Sequence, residues 1–221
     1  KNMEHIVIIG NGIAGITTAR HIRKNSDKKI TVISAESDYF FSRTALMYVY
    51  MGHMQYEHLK PYEDSFWKKN RIELKRARVE KIDFREKTLQ FSLGEPMKYD
   101  TLVLATGSVP NKYGWEGQDL KGVQGLVSLQ DLEMLEENTK HCKKAVIVGG
   151  GLIGVEMAEM LHSRKIEVTL LVRESGFWAN VLPENDAHLL SEHISSHGIE
   201  IRHNTLLNKI LPDENGRVRA V

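Results

Sequence analysis

An α/β fold is the architecture this sequence predicts: two Rossmann-like dinucleotide-binding units with parallel sheets, plus a small antiparallel β-meander. Three observations carry that reading. A β-branched strand, a glycine-rich turn and a helical stretch follow one another at Gly10-Asn-Gly12-Ile-Ala-Gly15. The same succession recurs at Gly149-Gly-Gly151-Leu-Ile-Gly154. Between the two, residues 71–93 alternate polar and apolar with period two.

The elements follow in order. Ile6–Ile9 is a continuous β-branched run and predicts a buried parallel strand. Ile13 to about Asn25 is helical in composition, and Ile30–Ile33 is a second buried strand, which completes a βαβ unit. Ile72 and Leu74, then Val79, Ile82 and Phe84, then Leu89, Phe91 and Leu93 alternate with polar neighbours and predict a small antiparallel sheet. Thr101–Ala105 returns to a buried strand and runs into Thr106-Gly107-Ser108. Residues 110–125 contain Pro110, Gly114, Gly117, Gly122 and Gly125 and are the best linker candidate. Ser128 with Asp131 resembles a capping box opening a helix to about Asn138. The second βαβ unit takes strand Ala145–Val148, helix Leu152–Lys165 and strand Val168–Val172. A helix over Pro183–His197, a strand at Ile199–Ile201 and a hairpin turning at Glu214-Asn-Gly216 close the chain. Two units suggest a duplicated module, with domains at residues 1–115 and 116–221.

Composition narrows the function classes. Lys+Arg is 30 and Asp+Glu is 29 in 221 residues, so a net charge of +1 offers no pull on nucleic acid or an anionic membrane. A hydrophobic fraction of 41% belongs to a folded chain rather than a disordered one. Cys142 is the one cysteine, so no intrachain disulfide forms and an oxidising compartment is not indicated. The apolar run Ile6–Ile9 is too short for a signal-peptide core or a membrane span, which makes the cytoplasm the default expectation.

The glycine turns carry the chemistry. Gly10 permits a tight turn, Gly12 lets the backbone approach a pyrophosphate, and Gly15 allows close helix–strand packing. The following helix presents free N–H groups and its positive end to the phosphates. Glu36, just past the second strand, places a carboxylate where an adenosine ribose can donate to it. In the second unit an acid is expected at Val172 for a ribose hydroxyl and is missing; Arg173 is the candidate to face a 2′-phosphate instead.

These motifs, together with Ala105-Thr106-Gly107 and Glu156 after the second turn, resemble the pyridine nucleotide–disulfide oxidoreductase fold over nearly the whole chain. The resemblance implies FAD in the first unit and NAD(P)H in the second. It implies that Gly10, Gly12, Ile13, Ala14, Gly15, Glu36, Val79, Ala105, Thr106 and Gly107 contact FAD. It likewise implies that Gly149, Gly151, Leu152, Ile153, Gly154, Glu156 and Arg173 serve the nicotinamide nucleotide. Phe41-Ser-Arg43-Thr-Ala-Leu46 is similar to the corresponding stretch of rubredoxin reductases, ferredoxin reductases of oxygenase systems and NADH-dependent nitrite reductases. Arg43 there implies a role at the FAD diphosphate or flavin edge. Tyr48 stands where those proteins often carry a lysine near the flavin ring. Glu156 is the residue the resemblance brings to the nicotinamide carboxamide, with a helix-terminal acid as the plain alternative.

Two departures shape the functional expectation. No Cys-x₄-Cys or Cys-x-x-Cys pair is present, and Cys142 lies just before the second unit's first strand, so thiol chemistry is unsupported. The expected route is NAD(P)H to FAD to an external acceptor: a redox protein, a quinone, another small molecule or a partner domain. The alternative class is a non-catalytic nucleotide-binding or sensor fragment. Family members usually run longer, which predicts a truncated chain with both domains incomplete at their C-terminal parts; a homodimer is conceivable for the longer protein. His188, His193 and His197 share a predicted helix but lack a third ligand type, so no metal is expected. Tyr39–Phe41 and Tyr48–Met51 read as flavin-pocket wall and core, and Trp67-Lys-Lys-Asn-Arg71 as a solvated basic helix end.

Overall fold

The computed structural model describes residues 3–221. In chain order the elements are β1 (His5–Ile9), α1 (Ile13–Asn25), β2 (Lys29–Ser34), α2 (Leu46–Tyr50), α3 (Ser65–Lys69), β3 (Ile72–Arg76), β4 (Val79–Asp83), β5 (Thr88–Phe91), β6 (Met97–Lys98) and β7 (Thr101–Leu104). They continue with α4 (Leu129–Thr139), β8 (Lys144–Val148), α5 (Leu152–Ser163), β9 (Glu167–Leu171), α6 (Glu184–Ser196), β10 (Glu200–Arg202), β11 (Leu211–Pro212) and β12 (Val218–Ala220). The chain divides into two units. The first holds the described residues up to Leu46, with Gln55–Val109 and Val127–Gln130; the second holds Met47–Met54, Pro110–Leu126 and Asp131–Val221.

The first unit is built on a parallel sheet of order β3-β2-β1-β7. Period-two alternation sends neighbouring side chains of β1 to opposite faces. Ile6 and Ile8 join Ile16 and Ala19 of α1, Ile30, Val32 and Trp67 in one buried cluster. Val7 faces the other way and joins Ile33, Leu89, Phe91 and Tyr99 beneath the antiparallel sheet β4-β5-β6. The parallel sheet is thus covered on both faces, which is why β1, β2 and β7 read as largely apolar runs.

One strand departs from expectation. Ile72–Arg76 is not part of the antiparallel meander; it pairs parallel with β2, in the register Ile30↔Ile72 to Ser34↔Arg76. Alternation reports that one face of a strand is buried, and an edge strand of a parallel sheet satisfies that condition too. The meander itself starts at Val79.

The second unit has a parallel sheet of order β10-β9-β8. Helix α5 packs against β8 and β9. The glycine-rich stretch 110–125 is not a free linker. Ile210 N–H donates to the Glu116 carbonyl at 2.8 Å, and Val218 N–H to that of Lys121 at 2.9 Å. A Cβ at Gly117 would lie 2.2 Å from the Ile210 carbonyl oxygen, so this glycine serves close backbone approach. β11 and β12 pair antiparallel as the closing hairpin.

A buried polar network joins the segment Met47–Met54 to the rest of the second unit. Tyr50 is fully buried and its hydroxyl donates to Thr139 Oγ1 at 2.9 Å. Arg164 donates to the Tyr50 carbonyl from Nε at 2.8 Å and also from its terminal nitrogen. Its guanidinium lies 3.7 Å from the Tyr50 ring centroid and forms a fork with Glu136 at 2.5 and 2.6 Å. Burial raises the Tyr50 phenol above its ordinary range.

Candidate functional site

The first glycine turn is set by three backbone constraints. Gly10 has φ +114°, which L side chains rarely adopt, and its N–H donates to the Ile33 carbonyl at 2.8 Å. A Cβ on Gly10 would stand 2.0 Å from the Ala105 carbonyl oxygen, and one on Gly15 would stand 1.9 Å from that of Gly10. Gly12 is different: a Cβ there meets nothing within 4 Å. Gly12 is the extended N-cap of α1, with no side-chain cap and no acid in the first turn. The first N–H groups of α1 are therefore offered to solvent at a positive helix end, which suits a diphosphate. Ile13 is 71% exposed at that lip, an unusual place for isoleucine, and Ala14 follows it on the exposed side.

Around that turn the described residues form a polar clasp. Arg43 grips Glu36 bidentately at 2.8 and 2.6 Å and also donates to the Val127 carbonyl. Glu36 Oε1 accepts the Leu129 N–H at 2.9 Å, and the Glu36 carbonyl accepts from Gln130 Nε2 at 2.9 Å. Asn11, buried within the turn, donates its amide to the carbonyl and hydroxyl of Ser37 at 3.0 and 3.1 Å. Asn11 thereby ties the glycine turn to the loop that carries Glu36. Sequence reasoning passed over Asn11, although a polar side chain inside a buried turn has to find partners. Ala105 N–H donates to Ile9 at 2.8 Å, and Thr106 and Gly107 follow exposed, with Gly107 at φ +74°. Val79 is half-buried against the meander's core cluster.

The second turn repeats most of this geometry, although a Cβ on Gly149, unlike one on Gly10, meets nothing within 4 Å. Gly149 has φ +126° and donates to the Leu171 carbonyl at 3.0 Å. A Cβ on Gly154 would lie 2.2 Å from the Gly149 carbonyl oxygen, whereas Gly151 is open to 4 Å and is the uncapped N-cap of α5. Leu152 and Ile153 are exposed at this lip, as Ile13 is at the first. Glu156 is the fifth residue of α5, not a first-turn acid, because the helix begins at Leu152. The dipole field weakens beyond the first turn, so that account of Glu156 loses force. Glu156 is half-buried and makes no hydrogen bond or ion pair among the described residues.

Position 172 is also resolved in physical terms. Val172 is fully buried, and a Cβ on Gly150 would meet its methyl at 2.6 Å. The side chain at 172 faces the turn from within, so the absence of an acid there follows from packing. Arg173 is the exposed residue, with side-chain exposure of 74%, and its guanidinium reaches Glu174 at 2.8 Å. That pairing holds the Glu174 carboxyl below its usual range.

Other predicted residues fall elsewhere. Tyr48 groups with the second unit, is 46% exposed, and its ring stacks on His53 at 6.3 Å between centroids. Phe40, Phe41 and Tyr50 are buried. His193 and His197 pack ring against ring, and no group of three or more potential metal ligands occurs among the described residues. No described helix is long and apolar enough to cross a membrane.

The sequence pattern of the pyridine nucleotide-disulphide oxidoreductases matches residues 4–221. The chain belongs to that family. Within it, the ferredoxin–NAD(+) reductase component of a biphenyl dioxygenase system from Paraburkholderia xenovorans is 29% identical over 221 residues, covering 99% of this chain and 54% of that protein. An NADH oxidase from Methanocaldococcus jannaschii is 31% identical, over 97% of this chain and 50% of its own length. The NAD-dependent persulfide reductase structure from A. fulgidus superposes with a TM-score of 0.89 at 30% identity, covering 98% of this chain and 42% of that one. The chain therefore spans about half the length of the curated relatives it matches. FAD and NAD(P)H are the cofactors of this group of reductases, and the open, uncapped helix starts beyond both glycine turns fit their diphosphates.

Proposed function

We propose that this chain is the nucleotide-binding part of an FAD-dependent NAD(P)H oxidoreductase that hands electrons to an external acceptor. In this reading Gly10–Gly15 holds FAD and Gly149–Gly154 holds NAD(P)H, so that the first unit is the FAD domain and the second the NAD(P) domain. One observation carries it: both helices begin at a glycine N-cap with open space above it and no acid in the first turn. Bound together, the two cofactors supply hydride transfer from nicotinamide to flavin. The chain's own task is orientation. The α1 and α5 N-termini receive the diphosphates, Glu36 accepts the adenosine ribose hydroxyls, and Arg43 balances the charge of Glu36 and of the neighbouring phosphates. Glu156, with no hydrogen-bond or ion-pair partner among the described residues, is placed to accept from the nicotinamide carboxamide. Cys142 is the lone cysteine, so reduction by a dithiol is not part of the reading. A ferredoxin or comparable redox protein is the acceptor that the biphenyl dioxygenase component's name supports.

The test is spectroscopic. The purified protein, reconstituted with FAD, is expected to show flavin absorbance that bleaches anaerobically on adding NAD(P)H. A protein that binds neither nucleotide supports the sensor or fragment alternative instead.

Arg173 is the candidate to receive the 2′-phosphate of NADPH, in exchange for its present partner Glu174. A charge-assisted bond to a 2′-phosphate contributes about 1.5–3 kcal/mol, roughly ten- to a hundredfold in affinity. Arg173→Ala is accordingly expected to weaken NADPH binding about tenfold or more and to leave NADH unchanged. Equal loss for both nucleotides, or none, removes Arg173 from this role.

A further inference from the structure

We propose that a cleft at the last turn of α1 and the α3–β3 turn is a binding site for a small phosphate-bearing polyanion, separate from both glycine turns. The cleft has a volume of about 460 Å³, within the range of small-molecule sites. Arg20, Arg23, Lys24, Lys69 and Arg71 line it together with Phe66, and its lining contains no acid. In a chain of net charge +1 this is a marked local excess. The sequence shows two separate short basic runs; the fold brings them to one place.

The construction is specific. Arg20, Arg23 and Lys24 lie at i, i+3 and i+4, on one face of α1. Arg23 is the floor. Its guanidinium donates to the carbonyls of Asn70, Ser26, Lys28 and Arg71 at 2.8, 3.0, 2.7 and 2.8 Å, which pins the α3–β3 turn to the end of α1. Four of its five donors are spent on backbone while its charge remains. Burial and the nearby Arg71 both disfavour that charge. Arg20 lies 5.2 Å from the Tyr62 ring centroid, and Tyr62 stacks on Phe66 at 4.4 Å, which forms an aromatic wall to the cleft. Of the basic lining residues, only Arg71 has an acidic partner among the described residues, Asp27 at 2.5 Å. Lys24 and Lys69 have no ion pair among the described residues. Like charges are thus held together with little compensation, and a bound polyanion relieves their repulsion.

Position separates this cleft from the cofactor. Lys24 lies twelve residues beyond Gly12, which at 1.5 Å each puts it about 18 Å along the α1 axis from the glycine turn. A ligand here acts as an effector or an anchor, not as a reactant.

Inorganic tripolyphosphate is the probe, titrated calorimetrically into the whole protein at low and at moderate salt. Saturable, salt-sensitive binding is expected, weakened at least tenfold in the Lys24→Gln/Lys69→Gln double variant, with an unchanged unfolding midpoint. Amide resonances of Lys69–Ile72 are expected to shift on titration. Absence of binding overturns the proposal. So does binding that survives the double lysine variant but is lost in Gly12→Ala or Gly151→Ala, since that binding belongs to the glycine turns.

Discussion

Gly15→Ala is expected to cost about 3–5 kcal/mol or to prevent folding of the first unit, in the range reserved for severe steric insults. Gly12→Ala, three residues away, is expected to cost about 1 kcal/mol or less, because alanine is a poorer N-cap than glycine but meets no clash. The contrast rests on where each new methyl would go. At Gly15 it would sit 1.9 Å from a backbone carbonyl oxygen that itself begins the turn, and neither atom has room to retreat. At Gly12 it enters open space from a φ of −72°, which alanine tolerates. That open space is where the diphosphate is proposed to approach. Gly12→Ala should therefore keep most of the parental stability while losing FAD affinity at least tenfold, read by flavin fluorescence quenching. The corresponding pair in the second unit is Gly154→Ala against Gly151→Ala, read with NAD(P)H. A Gly12→Ala protein that binds FAD as tightly as its parent would remove the first turn from the cofactor site.

Arg164→Ala is expected to destabilise the second unit by about 2–4 kcal/mol. The buried Tyr50 carbonyl loses both donors, a loss of about 1–3 kcal/mol. The cation above the Tyr50 ring adds roughly 0.5–2 kcal/mol. The fork with Glu136 adds less than about 1 kcal/mol, because both side chains are more than a third exposed. Arg164→Lys restores charge but not the fork and is expected to recover little. Tyr50→Phe removes only the Thr139 hydrogen bond and should cost about 1 kcal/mol. Urea unfolding of the three variants gives the ranking. If Arg164→Ala and Tyr50→Phe cost the same, the arginine is not the anchor of the segment that carries Tyr48.

Much of the molecule was legible from local pattern. Both strand–glycine–helix successions occur where they were expected, and α1 spans Ile13–Asn25 as its composition suggested. Local pattern misled where it was degenerate. Ile72 and Leu74 alternate because one face is buried, and alternation does not name the neighbouring strand. Glycines at 110–125 suggested a linker, whereas Gly117 is small because the Ile210 carbonyl passes against it. An acid at position 172 has no place, because the side chain there is fully buried against Gly150. Glu36 and Arg43 were each singled out for the cofactor, yet their mutual grip, and its reach to Val127 and Leu129, could not be read from a spacing of seven.

The sequence by itself determined the two glycine turns, because their requirements are local: a strand, residues with no side chain in the way, and a helix start within six positions. Only the tertiary structure decided which strand β3 joins, which side chain beyond β9 meets solvent, and that basic residues at 20–24 and 69–71 converge on one cleft. Those outcomes depend on contacts between residues tens of positions apart, formed when apolar faces are buried together, and no short-range periodicity records them.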